Sequence, residues 1–348
     1  MTVSVLVTGG AGFIGSHSCK ALARAGFLPV SLDNLRTGHR DAVKWGPLEV
    51  ADIRDRSAVE EVMRRHHIRV VMHFAAAAYV GESVEKPLFY YDNNVSGTIS
   101  LLSAMRNCGV NRIVFSSSCA TYGIPESQPI REVTPQRPIT PYGRSKLWCE
   151  EIIRDAARAS GLGYAMLRYF NACGADPEGS LRERHDPETH LIPLALMSAL
   201  GDGPRLKLFG TDYATPDGSC IRDYVHVSDL AEAHVRALRY ILAGQENLAV
   251  NLGTGRGLSN LEILRAVEQV TGLAPRWDPA PRRPGDPPEL VADTHLARTT
   301  LGFRPRLSDL DTILRHAAPT FGLPLREAPH QETAATDRTG EVGHDIVA

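Results

Sequence analysis

Apolar positions in the first half of the chain come in two periods. Short unbroken apolar runs alternate with longer stretches in which apolar residues return every three or four positions. The first pattern marks strands buried on both faces and the second marks amphipathic helices. Strands are predicted over 3–8, 28–33, 46–52, 69–76, 111–118 and 163–170, and helices over 14–25, 57–66, 87–107 and 141–160. Gly26 stops the first helix, Pro87 and Pro141 open the two long ones, and Gly109 lies at the end of one. Strand and helix in strict alternation predict an α/β fold, a doubly wound parallel sheet with helices on both faces.

Beyond residue 171 the pattern loosens and Pro and Gly increase. A long polar loop over 171–189 precedes a short helix at 190–201 and a strand at 205–210. A clear amphipathic helix follows over 228–243, read as capped by Ser228, and then a strand over 248–252. This helix and strand are expected to return to the first domain. The predicted division is a first domain of 1–170 with returning segments at about 221–253, and a smaller, interleaved α/β substrate domain of 171–325. Residues from about 326 are polar, mixed in charge and poor in large apolar side chains, which predicts a disordered tail over 326–348.

Ligands of such sheets bind beyond the carboxyl ends of the strands, so the chemistry is sought there. The first strand runs into Thr8-Gly9-Gly10-Ala11-Gly12-Phe13-Ile14-Gly15. Gly9, Gly12 and Gly15 permit a tight turn and close helix packing, with bare amides and a positive helix end where a diphosphate needs them. The second strand ends at Asp33, suited to accept from both hydroxyls of an adenosine ribose and to repel a 2′-phosphate, which favours NAD over NADP. Arg36 nearby weakens that preference. Asp52-Ile53 could flank an adenine, and the small residues of His73-Phe74-Ala75-Ala76-Ala77-Ala78 would let a flat group lie against backbone. Asn93 and Asn94 inside a helix are explained either by a polar ligand contact or by solvent.

Ser116-Ser117-Ser118 ends a later strand, and Pro141 then places Tyr142 and Lys146 on one helix face. A tyrosine with a pKa of about 10 is a poor base at neutrality; a nearby ammonium and a cationic cofactor ring would favour its phenolate. Ser118 could bridge the phenol and a substrate hydroxyl. In the second half, Arg222 and Arg283 are suited to a nucleotide diphosphate and Asp286 to a ribose hydroxyl. His185 and His190 bracket Asp186 and Glu188, but the spacing fits no helix, so no metal is expected.

The bulk numbers narrow the reading. The 348 residues are 43% hydrophobic and 22% charged, as in a soluble globular protein, and too long for one ordinary core. A net charge of −2 gives no general attraction to nucleic acid. No apolar run approaches the roughly 18 residues of a membrane helix, and the N-terminus enters a strand without a signal peptide. The six cysteines show no zinc-type spacing, and free thiols in a reducing cytoplasm are expected.

Taken in order, these stretches resemble the extended short-chain dehydrogenase/reductase family with its NAD-binding Rossmann sheet, and within it the UDP-sugar 4-epimerases. The resemblance spans about 3–318 and is carried by 8–15, 32–35, 80–84, 90–95, 142–146, 168–171, 222–226 and 282–286. It implies Tyr142 as base, Lys146 as its pKa tuner and ribose anchor, and Ser118 as hydroxyl relay. It implies NAD contacts from Phe13, Ile14, Asp33, Asn34, Asp52, Ile53, Phe74, Ala75, Ala76, Asn94 and Phe170, beside the glycines and the catalytic set. UDP-sugar contacts are implied for Asn171, His190, Leu191, Lys207, Phe209, Arg222, Arg283, Asp286 and Leu290. The implied activity is inversion of C4 in a UDP-hexose, glucose to galactose, through a 4-keto sugar, with a UDP-pentose or UDP-N-acetylhexosamine as alternatives. A homodimer through the 87–107 and 141–160 helices is implied as well.

Four positions depart from common family residues: Ala78 for a lysine, Ala120-Thr121 for a threonine and an apolar residue, His190 for an asparagine, and Leu290 at the position that gates sugar size. They bear on substrate choice and NAD retention. Nucleotide-sugar 4,6-dehydratases need an acidic pair after Ser118, where this chain has Cys119-Ala120. Non-catalytic NAD-binding regulators commonly lose the tyrosine or lysine, and both are present.

Overall fold

Apolar runs without a polar face pair into one parallel sheet. The computed structural model, which describes residues 2–201, 205–283 and 285–327, forms β1 (Ser4–Thr8), β2 (Leu28–Asp33), β3 (Leu48–Val50), β4 (Val70–His73), β5 (Arg112–Ser118) and β6 (Gly163–Tyr169) in its first half. The second half adds β7 (Asn171–Cys173), β8 (Leu206–Phe209), β9 (Ile221–His226), β10 (Leu248–Leu252), β11 (Gly257–Ser259), β12 (Trp277–Ala280) and β13 (Glu289–Leu290). The large sheet has the order β10-β6-β5-β4-β1-β2-β3, so β10 returns to its edge. Strand order reverses between β1 and β4, which opens a crevice at their carboxyl ends. β7, β9, β11 and β13 form a small mixed sheet, and β8 pairs with β12.

The core follows from these layers. On one face, Cys19 and Leu22 of the Phe13–Arg24 helix and Leu230 and Leu238 of the Val227–Leu242 helix pack on Val5, Val7, Val70 and Val250. On the other, Val59, Leu101 and Ile153, from the Arg56–Arg65, Gly97–Asn107 and Pro141–Ser160 helices, cover Leu6, Val71 and Ile113. A third core of Ile192, Leu196, Tyr224, Ile263 and Leu314 holds the smaller half together.

Several elements differ from the sequence expectation. The 87–107 helix is broken into Pro87–Tyr90, a π-helical turn Tyr91–Ser96 and Gly97–Asn107. Asn94 lies in that turn, where its amide group is drawn to another part of the chain. Ser228 is not the cap of the Val227–Leu242 helix: the His226 ring nitrogen Nδ1 accepts from the Ser228 amide at 3.0 Å and caps it instead. The 46–52 strand shortens to Leu48–Val50, and the 171–189 loop begins as β7. Helices Val80–Glu85 and Asn260–Thr271 are absent from the sequence reading; the second carries a full capping box from Ser259 and Glu262 and buries Ile263, Leu264, Val267 and Val270 at helical spacing. Most of the predicted tail, 328–348, lies outside the described residues.

One buried ion pair ties the central layers. Arg168 on β6 donates through Nε and Nη2 to the two oxygens of Glu150 on the 141–160 helix, at 2.9 and 2.7 Å. Ser117 on β5 donates to the same carboxylate at 2.5 Å, and Arg168 also reaches the Tyr122 hydroxyl at 2.8 Å. Glu150 is fully buried, yet these donors hold its carboxyl below the usual range against its burial. Truncating one member strands a buried charge, at a cost of about 3–5 kcal/mol. Glu150→Ala should therefore lower the urea midpoint by that equivalent, and Glu150→Met with Arg168→Leu by clearly less.

Candidate active site

The glycine turn is built for a closely approaching anion. Gly9 has a left-handed φ of +72° and lies so near β4 that a Cβ there would sit 2.7 Å from the Ala75 amide nitrogen. A Cβ on Gly15 would come within 2.1 Å of the Gly9 carbonyl oxygen. The Phe13–Arg24 helix then starts at Gly12 with no side-chain cap and no acidic residue in its first turn. Its opening amides and positive dipole end are left for a ligand, at the switch point of the sheet. These features fit the diphosphate of a dinucleotide, with Phe13 and Ile14 in the first turn.

Asp33 is buried at the end of β2 and accepts from the Ala11 amide at 3.0 Å and the Leu35 amide at 2.8 Å. Burial raises its carboxyl against those two bonds. The Arg36 guanidinium lies 4.0 Å over the Phe89 ring. Asn34 donates to Asp52 at 3.1 Å, and Asp52 is gripped by Arg54 at 2.9 Å, which lowers its pKa. Ile53 is buried in the core. Phe74 leans on His234, ring centres 4.7 Å apart, while the Phe74 and Ala75 amides donate to the Thr8 carbonyl. Ala76 continues that turn, half-buried.

Asn94 is committed internally rather than facing solvent. Its Oδ1 accepts from the Ala77 amide at 2.8 Å, and its Nδ2 donates to the Ala77 carbonyl and the Ser145 hydroxyl. It fastens the turn after β4 to the catalytic helix.

Ser118, Tyr142 and Lys146 meet at the carboxyl end of β5. Thr140 caps the Pro141–Ser160 helix by accepting from the Gly143 amide at 3.1 Å. Gly143 lets the helix touch the turn after Ser118: a Cβ there would be 2.5 Å from the Ala120 carbonyl oxygen. Lys146 is buried and donates to the Ser116 carbonyl at 2.8 Å, and burial lowers its ammonium to about 8. Burial pushes the Tyr142 phenol well above its ordinary value, opposed by a hydrogen bond with Ser118. Tyr90 and Glu82 also belong here. The buried Tyr90 hydroxyl lies 2.7 Å from the Tyr79 carbonyl and 2.9 Å from Glu82, sharing its one proton between them, and its ring stands edge-on to Tyr142 at 6.5 Å. Nothing in the helical period singles them out.

The smaller half faces this centre. Asn171 opens β7 beside Tyr224, and Phe170 packs with Cys119, Tyr122 and Leu290, so Leu290 borders the turn after Ser118. Arg222 and Asp286 pair with one another at 2.5 Å, where sequence assigned them to different parts of a nucleotide. Arg283 lies 4.1 Å over the Phe209 ring, and the exposed Lys207 sits on the same strand. An open cavity of about 600 Å³ is lined by Ile124, Tyr213, Arg282, Arg283 and Asp286. His190 precedes the Leu191–Leu200 helix, and its Nδ1 lies 2.8 Å from Glu188 and 3.1 Å from Glu183. His185 approaches the same two carboxylates; Asp186 is not part of the group.

Known proteins share this architecture. The NAD dependent epimerase/dehydratase family matches residues 5–253. A UDP-glucose 4-epimerase of Rhizobium meliloti (strain 1021) is 52% identical over 314 residues, covering 90% of this chain and 95% of its own. The crystal structure of UDP-glucose 4-epimerase from Brucella ovis in complex with NAD superposes with a TM-score of 0.91 at 55% identity, covering 93% of this chain and 100% of that one. The Bifidobacterium longum UDP-glucose 4-epimerase in complex with NAD⁺ and UDP gives 0.87 at 38% identity, covering 91% and 97%.

Gly15→Ala tests the cradle. The added methyl must push the turn open against backbone, a strain of about 1–3 kcal/mol. The variant should fold, by circular dichroism, yet bind dinucleotide at least about tenfold more weakly, measured as nucleotide released on denaturation.

Proposed function

Because the chain belongs to the NAD dependent epimerase/dehydratase family, we propose that it is an isomerase that inverts C4 of a UDP-hexose, interconverting UDP-glucose and UDP-galactose with NAD as resident cofactor. The observation that carries this reading is Ser118, Tyr142 and Lys146 gathered on touching elements beside a cradle fitted to a dinucleotide. The glycine turn would hold the diphosphate, Asp33 the adenosine ribose, and Lys146 the nicotinamide ribose. Bound NAD⁺ supplies a reversible hydride acceptor and a positive ring.

Tyr142 takes the proton of the sugar 4-hydroxyl, with Ser118 as relay, and returns it after inversion. Lys146, fixed on the Ser116 carbonyl, contributes a nearby positive charge that favours the phenolate. The sugar must present both faces to the same centre while UDP stays in place. Arg222 and Arg283 anchor the nucleotide, whose binding energy leaves the sugar free to turn. Leu290, packed beside Phe170 and Cys119, narrows the sugar end and favours an unsubstituted hexose over an N-acetylhexosamine. The dinucleotide and nucleotide-sugar halves are read as interleaved, with β10 on the dinucleotide sheet.

The same reading covers assembly and setting. Val84, Leu88, Ile99 and Trp148 are exposed on or beside the 87–107 and 141–160 helices, Leu88 at 79%. Tyr91 stacks on Trp148, ring centres 4.8 Å apart. This apolar face is the proposed homodimer surface. The six cysteines are free, which suits a cytoplasmic protein.

Tyr142→Phe should slow UDP-galactose turnover by roughly 10²–10⁴-fold while NAD content and UDP affinity stay within about twofold of the parent. Unslowed turnover would refute the assignment. A panel of UDP-hexoses, pentoses and N-acetylhexosamines, with products separated chromatographically, should show UDP-glucose and UDP-galactose turned over fastest. Leu88→Glu together with Trp148→Glu should shift the sedimenting species from dimer to monomer.

A further inference from the structure

The segment 183–190 places four metal-binding side chains around one point without a helix to space them. Glu183, His185, Glu188 and His190 each offer one ligand atom, and these atoms lie within 4.8 Å of one another. The Nδ1 atoms of both histidines turn to the same carboxylates: His185 is 3.3 Å from Glu183 and 3.4 Å from Glu188, and His190 is 3.1 Å and 2.8 Å from them. A tetrahedron with metal–ligand bonds of about 2.0–2.1 Å has edges of about 3.3 Å; the His185 separations of 3.3 Å from Glu183 Oε1 and 3.4 Å from Glu188 Oε2, and the His190 separation of 3.1 Å from Glu183 Oε1, lie near that length, while the 2.8 Å contact of His190 is to the other Glu188 oxygen, Oε1.

Charge points the same way. The Glu183 and Glu188 side chains are 3% and 7% exposed, and among the described residues neither pairs with a lysine or arginine. The side chains these two buried carboxylates pair with among the described residues are imidazoles, so the site lacks the permanent positive charge that a dication would supply. The Thr189 and His190 amides donate to Glu188 at 2.8 Å and hold it in place. Two imidazoles with two carboxylates form a borderline donor set of the kind that holds Zn²⁺.

We propose that Glu183, His185, Glu188 and His190 form a Zn²⁺ site that pins the 183–190 segment just before the Leu191–Leu200 helix. The loop already leans on the dinucleotide half. Arg184 pairs with Asp41 at 2.9 Å, Lys44 donates to the Ser180 carbonyl at 2.7 Å, and the His185 ring stands edge-on to Phe13 and Tyr79. At its other end, His190 leads into the first helix of the smaller half. A bound metal ties residue 183 to residue 190 at one point, and it leaves the half-exposed His190 ring its second nitrogen, Nε2, for other contacts.

The test uses the full chain, stripped with a chelator and dialysed, then titrated with zinc chloride and, separately, cobalt(II). The expected results are one zinc per chain by elemental analysis, visible cobalt bands of tetrahedral intensity, and a higher thermal midpoint with zinc. Glu183→Gln and His185→Asn should each weaken zinc binding by more than the roughly 10–100-fold caused by losing a supporting partner. Zinc uptake at the stripped baseline, or uptake unchanged in the His185→Asn/Glu188→Gln double variant, would overturn the proposal. If the variants do not fold, the parent's cobalt spectrum decides: absence of tetrahedral bands overturns it.

Discussion

The bidentate contact between Arg168 and Glu150 sets the position of everything chemical in this molecule. It joins β6 to the 141–160 helix, with Ser117 of β5 as a third arm. Lys146 lies one turn before Glu150 on that helix and Tyr142 two turns before it, so all three share a face. Buried ion pairs contribute little net stability compared with apolar packing, but they tolerate few alternative geometries. Here the pair holds the tyrosine and lysine in one register against Ser118.

The rest of the centre is held by similar devices. Gly143 permits close contact between helix and turn, Asn94 sews the chain after β4 to Ser145, and the opposing half is closed by Asp223. That fully buried carboxylate gathers the amides of Thr254, Gly255 and Ala292, and its own burial raises its pKa against them. Asn94 and Asp223 are polar groups satisfied in a dry interior, so each allows essentially one arrangement. With a net charge of only −2, the proposed anion binding is local, at a helix end and a few arginines.

Much of the large sheet was legible because its strands carry unbroken apolar runs and its helices carry strong caps. The 28–33 and 248–252 strands and the 141–160 helix match residue for residue. The 87–107 helix did not, because its π-helical turn answers to the distant backbone of Ala77, a contact that local propensity does not contain. The cap of the Val227–Leu242 helix was misplaced because His226 mimics a capping oxygen with a ring nitrogen. The residue types of the centre were legible, but their charge states were not. Burial, which raises Tyr142 and lowers Lys146, depends on packing from elements far away in the chain. The His/Glu group at 183–190 was set aside for want of helical spacing, although an irregular loop brings its atoms together.

The return of β10 to the edge of the large sheet also shapes how the chain comes to be folded. Its partner β6 ends at Tyr169, yet β10 is complete only at Leu252, after β7, β8, β9 and the long helix that follows them. During synthesis from the N-terminus, the open edge of β6 must wait for the ribosome to deliver that strand. A long unpaired edge is an aggregation hazard in any nascent chain. The late return of β10 to the large sheet thus leaves a vulnerable interval in production of the molecule, one that no truncation before Leu252 can avoid.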